Sequence, residues 1–252
     1  MNKRKTVTLW ISLSHIKRLV YGAVLLALLI GIVVYEVPVK RVSNYWSLPL
    51  AGKMIALDAG HGGPDGGASS KDGIIEKDIN LSVALYLRDY LQQAGAIVYM
   101  TREEDKDLAD PGTSGLSKRK TEDLKRRVRL IEEKEAKLLV SIHMNSIPSN
   151  RWKGAQSFYH PSHPESGVLA DLVQEELRRN LENTDRVAKG ADYVYLLKEM
   201  KIPSVLVEVG FLSHPEESKM LGDEAYQRKV AAAIYKGVLR YEAGEKAKPP
   251  AQ

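Results

Sequence analysis

Two histidines stand where a sheet would present them to a ligand. His61 follows the apolar run MIALDA in a glycine-rich turn, HGGPDGG, and His143 closes the run LLVSIH. In open α/β sheets the crevice past the carboxyl ends of the strands is where ligands bind, and the glycines let backbone approach whatever occupies it. A histidine in a turn is ordinarily just a solvated side chain, so its meaning depends on its company. Two carboxylates supply that company: Glu76 in GIIEKDIN, at the start of a helical pattern, and Glu208 near the end of SVLVEVGF. On a strand, Val205, Val207 and Val209 share one face while Ser204, Leu206 and Glu208 share the other, which places an acid in a run apolar enough to be buried on both faces. A buried carboxylate requires a cation, a hydrogen-bond network or a raised pKa. A salt bridge to a Lys or Arg is the plain structural alternative.

Two His and one Glu make the ligand set of a catalytic zinc with its fourth position open to water. Such an ion polarises a carbonyl and acidifies water, and a second carboxylate must then move the proton to the leaving group without saturating the metal. Glu208 suits that role, and Asp58 and Asp65 stand as competing ligands or as partners that orient His61. The chain has no cysteine, which excludes disulfides, thiolate metal sites and a Cys nucleophile.

The elements that must position these residues alternate between strand and helix patterns. Strand candidates are Met54–Asp58, Ile97–Thr101, Leu138–His143, Gln156–Tyr159, Tyr193–Leu197 and Ser204–Val209. Helix candidates are Asp78–Gln93, Thr121–Glu135, Ser166–Asn180 and Glu224–Glu242. The alternation predicts an α/β domain, a mixed and largely parallel six-stranded sheet flanked by helices. Glu103–Lys120 and His160–Gly167 read as loops longer than connection needs, either functional or tolerated insertions. His160 and His163 fall in the second of these and are expected to be solvent-exposed or near substrate rather than metal-bound; His15 lies far from the site.

Charge sorts the chain into two parts. The formal net charge is +5, but residues 1–47 hold seven Lys/Arg and one acid, and 48–252 are nearly neutral. A nucleic-acid role for the main domain thereby loses its main support. Leu19–Tyr35 is a run of 17 residues without a charge, just long enough to cross a bilayer core, with five Lys/Arg before it that keep the N-terminus cytoplasmic and send the rest outward. A cleaved signal peptide and a buried core helix are the alternatives; the run is long for a signal core, no small-x-small motif follows it before Pro38, and its apolar residues occupy every face. The expected organisation is a cytoplasmic basic segment 1–18, a transmembrane signal anchor 19–35, a linker 36–49, an extracytoplasmic catalytic domain 50–242 and a flexible tail 243–252.

The strings LDAGHGGPDGG, EKDINL, MTRE, LVSIHMNS and PSVLVEVGFLSHPEE occur in that order. Together they resemble the zinc-dependent N-acetylmuramoyl-L-alanine amidases of the amidase-3 family, over roughly Lys53–Tyr241. WSLPLAGK, AQSFYH and IYKGVLRY add a likeness to its spore-cortex and germination members. The resemblance implies zinc held by His61, Glu76 and His143, Glu208 as the catalytic residue, and peptidoglycan as substrate, with the amide between N-acetylmuramic acid and L-alanine cut. It further implies membrane attachment facing the wall of a spore-forming bacterium, an activator protein, and a downstream muramic acid deacetylase completing the δ-lactam; no nucleic acid is expected. Lys198 stands where the family often has Arg, which leaves substrate positioning there open, and His214 stands where it often has Asn and reads as a turn residue. A vegetative cell-separation amidase and a non-catalytic wall-binding regulator are the rival functions.

Overall fold

The structure, a computed structural model, describes residues 12–34 and 48–246. The expected linker 36–49 therefore falls mostly outside the described residues, as do most of the basic segment and of the tail. Two compact units separate, divided after Ser47. In the first, α1 (Leu13–Val34) is a helix whose stretch Leu13–Gly31 is long and apolar enough to cross a membrane, with none of it buried. It begins six residues before the uncharged run, so Lys17 and Arg18 are helical rather than flanking.

The second unit is a single sheet with helices on it. Its strands are β1 (Met54–Ala59), β2 (Ile97–Met100), β3 (Leu138–Asn145), β4 (Gln156–Tyr159), β5 (Lys189–Gly190) and β6 (Ser204–Phe211). Their order is β2-β1-β3-β6-β4-β5. All neighbours run parallel except β4 against β6, so the expected mixed, largely parallel sheet is what forms. The helices are α2 (Glu76–Gln93), α3 (Leu116–Glu133), α4 (Pro164–Leu181), α5 (Tyr195–Glu199), α6 (Pro215–Leu221) and α7 (Glu224–Glu242).

The pleat divides the sheet chemically. Ile55 and Leu57 of β1, Val140 and Ile142 of β3, and Val205, Val207 and Val209 of β6 bury against α2, α4 and α7 in the main core. The opposite face is apolar at its start, where Ala56 and Leu139 meet Ile131 of α3 and Leu196 of α5, and toward β4, where Leu206 and Phe158 meet Leu197. Further along it carries Asp58, Ser141, His143 and Glu208, and the register places Asp58 beside Ser141 and His143 beside Glu208. The chemistry therefore sits on one face at one end, fixed by backbone ladders.

Three expectations need correction. Tyr193–Leu197 is not a strand: Leu196 and Leu197 both bury, Leu196 among Ala56, Ile131 and Leu139 and Leu197 among Phe158, Ala191 and Leu206. Two adjacent residues can serve two clusters on a helical turn, whereas an extended strand would point one of them away. The sixth strand is instead the two-residue β5, too short to leave a pattern. The loop read at Glu103–Lys120 ends early, because α3 starts at Leu116, and that at His160–Gly167 ends where Pro164 opens α4, Pro being suited to a first helical position.

Candidate metal centre

β1 delivers the chain into the turn at Gly60, whose N–H donates to the Ile142 carbonyl (3.0 Å) and keeps the turn against β3. A side chain there is impossible, since a Cβ would lie 2.3 Å from the His143 ring. His61 follows with φ 60°, a left-handed conformation costly for a non-glycine residue. Two buried arginines hold it. Arg102 donates from Nε to the Ala59 carbonyl (2.9 Å) and from Nη2 to those of Gly60 (3.0 Å) and Lys77 (2.7 Å). Arg127 donates from Nη1 to Ala59 (2.8 Å) and from Nη2 to His61 (2.7 Å). Three successive carbonyls that point inward thus find donors, as buried backbone must.

Past His61 the chain doubles back through Gly62 and Asp65, which exchange backbone hydrogen bonds. Asp65 Oδ2 thereby comes 2.8 Å from His61 Nδ1, leaving Nε2 to face Glu76 at 3.2 Å. Glu76 is the first residue of α2, where the helix dipole favours negative charge. It is buried, accepting from Ala68 N–H (2.8 Å) and Met144 N–H (3.0 Å). His143 Nδ1 lies 3.2 Å from the same Glu76 Oε1, and the His61 and His143 rings meet edge to face at 5.1 Å. Ligand atoms of His61, Glu76 and His143 lie within 4.8 Å of one another, the one group of this kind among the described residues. Gly67 completes the cradle, as a Cβ there would meet Glu76 Oε2 at 2.5 Å.

The electrostatics follow from this packing. Burial works to raise the Glu76 pKa, but hydrogen bonds with His143 and His61 outweigh it and hold the carboxyl well below its usual range. Burial likewise works against the His61 imidazolium, and Glu76 and Asp65 together overcome it and raise that pKa. Glu208 goes the other way. Burial above all, with the Glu76 charge adding to it and those of His143 and His61 opposing, pushes it up to about 7. Its Oε2 is buried with no hydrogen-bond partner among the described residues, so the salt-bridge alternative for this acid finds no support.

The structure separates the two aspartates left open by sequence. Asp65 is the partner of His61. Asp58 takes no place in the cluster; it accepts from Arg127 Nη1 (2.7 Å), Thr101 Oγ1 (2.9 Å) and Ser141 Oγ (2.6 Å). Burial tends to raise its pKa, and Arg127 chiefly, with His143 and Ser141, brings it down to about 2. His214 caps α6, its Nδ1 accepting from Glu217 N–H (3.2 Å), in keeping with a turn residue. His160 and His163 pair with each other at 5.6 Å, away from the cluster. Lys198 lies exposed on α5.

Sequence reasoning missed Arg102 and Arg127. For Arg127 the signal exists: Asp123, Arg127 and Ile131 recur every four residues on the buried stripe of α3, and Asp123 binds Arg127 Nε at 2.8 Å. The loop before α3 also serves the site, since Asp105 accepts from Gly63 N–H (2.8 Å) and Lys77 Nζ (2.6 Å).

Residues 55–240 match the family described as N-acetylmuramoyl-L-alanine amidase, Amidase_3. The germination-specific N-acetylmuramoyl-L-alanine amidase of Bacillus subtilis (strain 168) is 57% identical over 205 residues, 81% of this chain and 86% of that protein. Among solved structures, the CwlD amidase from Clostridioides difficile, in complex with the GerS lipoprotein, superposes with a TM-score of 0.75 at 43% identity, covering 77% of this chain and 100% of that one. An N-acetylmuramoyl-L-alanine amidase from Clostridium difficile 630 gives a TM-score of 0.67 at 31% identity, over 75% of this chain and 96% of that one.

Proposed function

The chain belongs to the N-acetylmuramoyl-L-alanine amidase family, and from that premise we propose that its site cuts the amide between N-acetylmuramic acid and L-alanine with a zinc ion held by His61, Glu76 and His143. The observation that carries this reading is the pairing of that ligand cluster with Glu208, an acid seated beside His143 on the same sheet face whose Oε2 is buried without a hydrogen-bond partner among the described residues. The donor set fits the ion: two imidazoles and a carboxylate, with His61 oriented by Asp65 and Glu76 held by the N–H groups of Ala68 and Met144, are the borderline ligands of a catalytic zinc. When bound, the ion supplies polarisation of the scissile carbonyl and acidification of a water.

The chain's own residues do the rest. Asp65 fixes the His61 ring so that Nε2 faces the cluster. Glu208, whose pKa near 7 matches the task of accepting and returning a proton at neutral pH, takes the proton of the attacking water and passes it to the nitrogen of L-alanine as the C–N bond breaks. No hydrogen bond ties up its Oε2, so accepting the proton costs none.

The wider setting belongs to the same proposal. α1 is the membrane anchor, and the domain 50–242 lies outside the membrane facing peptidoglycan. The role is in spore cortex maturation and germination, in line with the name of the Bacillus subtilis relative. An activator protein and a deacetylase acting on the product complete it; that the Clostridioides difficile amidase is found in complex with a lipoprotein supports a protein partner.

Incubation of the zinc-loaded protein with peptidoglycan, followed by mass spectrometry, tests the reaction. Free stem peptides beginning with L-alanine are expected, and muropeptides left intact both without and with an activator would overturn it. His61→Ala is expected to lose zinc and activity together.

A further inference from the structure

The side of the site away from His61 is built on aromatic rings and cations. In the antiparallel pair of β4 and β6, Gln156 is the direct partner of Glu208, and directly opposed residues point to the same face of a sheet. Gln156 Oε1 accepts from Arg186 Nη1 (3.2 Å) and its Nε2 donates to the Val187 carbonyl (2.9 Å). The Arg186 guanidinium lies 5.1 Å from the ring centre of Phe211 and 5.5 Å from that of Trp152, with Nε on the Lys153 carbonyl (3.2 Å). Phe211 is buried, whereas Trp152 is 51% exposed.

Arg119, Arg127 and Arg240 sit against carboxylates, and Arg102 is sealed among backbone carbonyls. Arg186 is held by rings and carbonyls and makes no ion pair among the described residues. Glu217 feels its charge, but the oxygens of that carboxylate are taken by the N–H groups of Gly154 and Phe211. The result is a planar cation beside two aromatic rings, with no hydrogen bond to its Nη2 among the described residues, held to the residue paired with the proton-transferring acid.

Such a fork matches a carboxylate in geometry as well as charge. Of the two halves of the substrate, the glycan offers hydroxyls and acetamido groups, while the stem peptide offers carboxylates. Gln156 lies about 4.8 Å from Glu208 across the strands and Arg186 binds its side-chain amide, so the guanidinium stands beyond the scissile amide by at least one peptide Cα spacing of about 3.8 Å, and the first carboxylate it can meet is that of the residue past the alanine. Resting on the amidase reading above, we infer that Arg186, held beside Trp152 and Phe211, binds the carboxylate of the stem-peptide residue that follows L-alanine. The enzyme therefore prefers stem peptides with a free acid at that position over amidated ones.

The test uses the full chain, zinc-loaded, and two muramyl peptides that differ only in carrying a carboxylate or a carboxamide at that residue. Wild type is expected to show a KM about ten- to a hundredfold lower for the acid form, the span of one charge-assisted contact. Arg186→Gln should raise KM for the acid form by that factor, leave the amide form unchanged and keep kcat within about threefold on both, since the contact is equally strong in ground and transition states. Arg186→Lys, which keeps the charge but not the fork, should fall between, and Trp152→Ala should weaken the preference with the fold and zinc content intact. Equal losses on both substrates in Arg186→Gln, or no preference in wild type, would overturn the inference and leave the amidase reading standing. Hydrolysis of neither substrate by wild type, without and with an activator, would overturn the amidase reading, and the inference with it.

Discussion

Asp58 and Glu208 stand on the same face of the same sheet, three strands across, and the fold treats them in opposite ways. Around Asp58 every oxygen is matched: a guanidinium and a hydroxyl on Oδ1, a second hydroxyl on Oδ2. Around Glu208 nothing answers Oε2. One acid is driven down to about 2 and the other up to about 7. Burial disfavours the charge of both, so the whole divergence comes from partners. The neighbourhood of Asp58 is arranged for stability, holding the arginine that shapes the His61 turn; that of Glu208 leaves Oε2 unsatisfied among the described residues, which suits the proton transfer proposed for it.

The contrast breaks most visibly at Glu208. Glu208→Gln is expected to cost about 10²- to 10⁴-fold in kcat while zinc content, measured by metal analysis, stays at the wild-type level; an active variant would reassign the proton carrier. Stability should move the other way. With a folded pKa of about 7 against an ordinary 4.5, ionisation of Glu208 opposes folding increasingly as pH rises from 4.5 to 7 and fully above it. The metal-free Gln variant should therefore be more stable than wild type at pH 8, by up to about 3 kcal/mol in denaturant titrations.

Asp58→Ala is expected to lose about 3–5 kcal/mol at neutral pH, because it strands Arg127 in the interior; equilibrium unfolding measures it, and no gain should appear at any pH. With Asp58→Asn the same contrast can be followed in acid. A carboxyl lowered from 3.8 to about 2 contributes stability that is whole above 3.8 and lost as pH falls through 2. The gap between wild type and the Asn variant should close by about 2 kcal/mol across that window. The smallest effect is expected at Asp65, which orients a ligand without being one: Asp65→Asn should weaken zinc binding by about 10- to 100-fold, read by competition with a chelator, with thermal unfolding of the metal-free protein little changed.

These pairs also show what a sequence discloses. β1, β3 and β6 are apolar runs buried on both faces, and their ends could be placed within two residues because glycines and charges bound them. His61, Glu76, His143 and Glu208 were visible for the same reason, each being a polar residue interrupting or ending such a pattern. Arg102 and Arg127 were hidden. In MTRE and LKRRVRL an arginine looks like surface, since what buries it is a set of backbone carbonyls from a turn some 40 to 70 positions away in the chain. β5 was illegible because two residues carry no periodicity, and α5 because a five-residue helix with adjacent buried leucines mimics a strand. Arg186 was equally silent, its surroundings being assembled from three separate segments.

The pairing of His143 with Glu208 is made by the sheet itself. Side chains alternate along a strand, so a slip of β6 against β3 by a single residue would turn Glu208 to the far face and bring Val207 or Val209 beside His143. A chain trapped in that register would keep its helices, much of its apolar burial and its cluster of His61, Glu76 and His143, and yet be inert. Catalytic turnover thus serves as a proofreading signal for strand alignment, sensitive to an error of one residue that circular dichroism or zinc content would pass over.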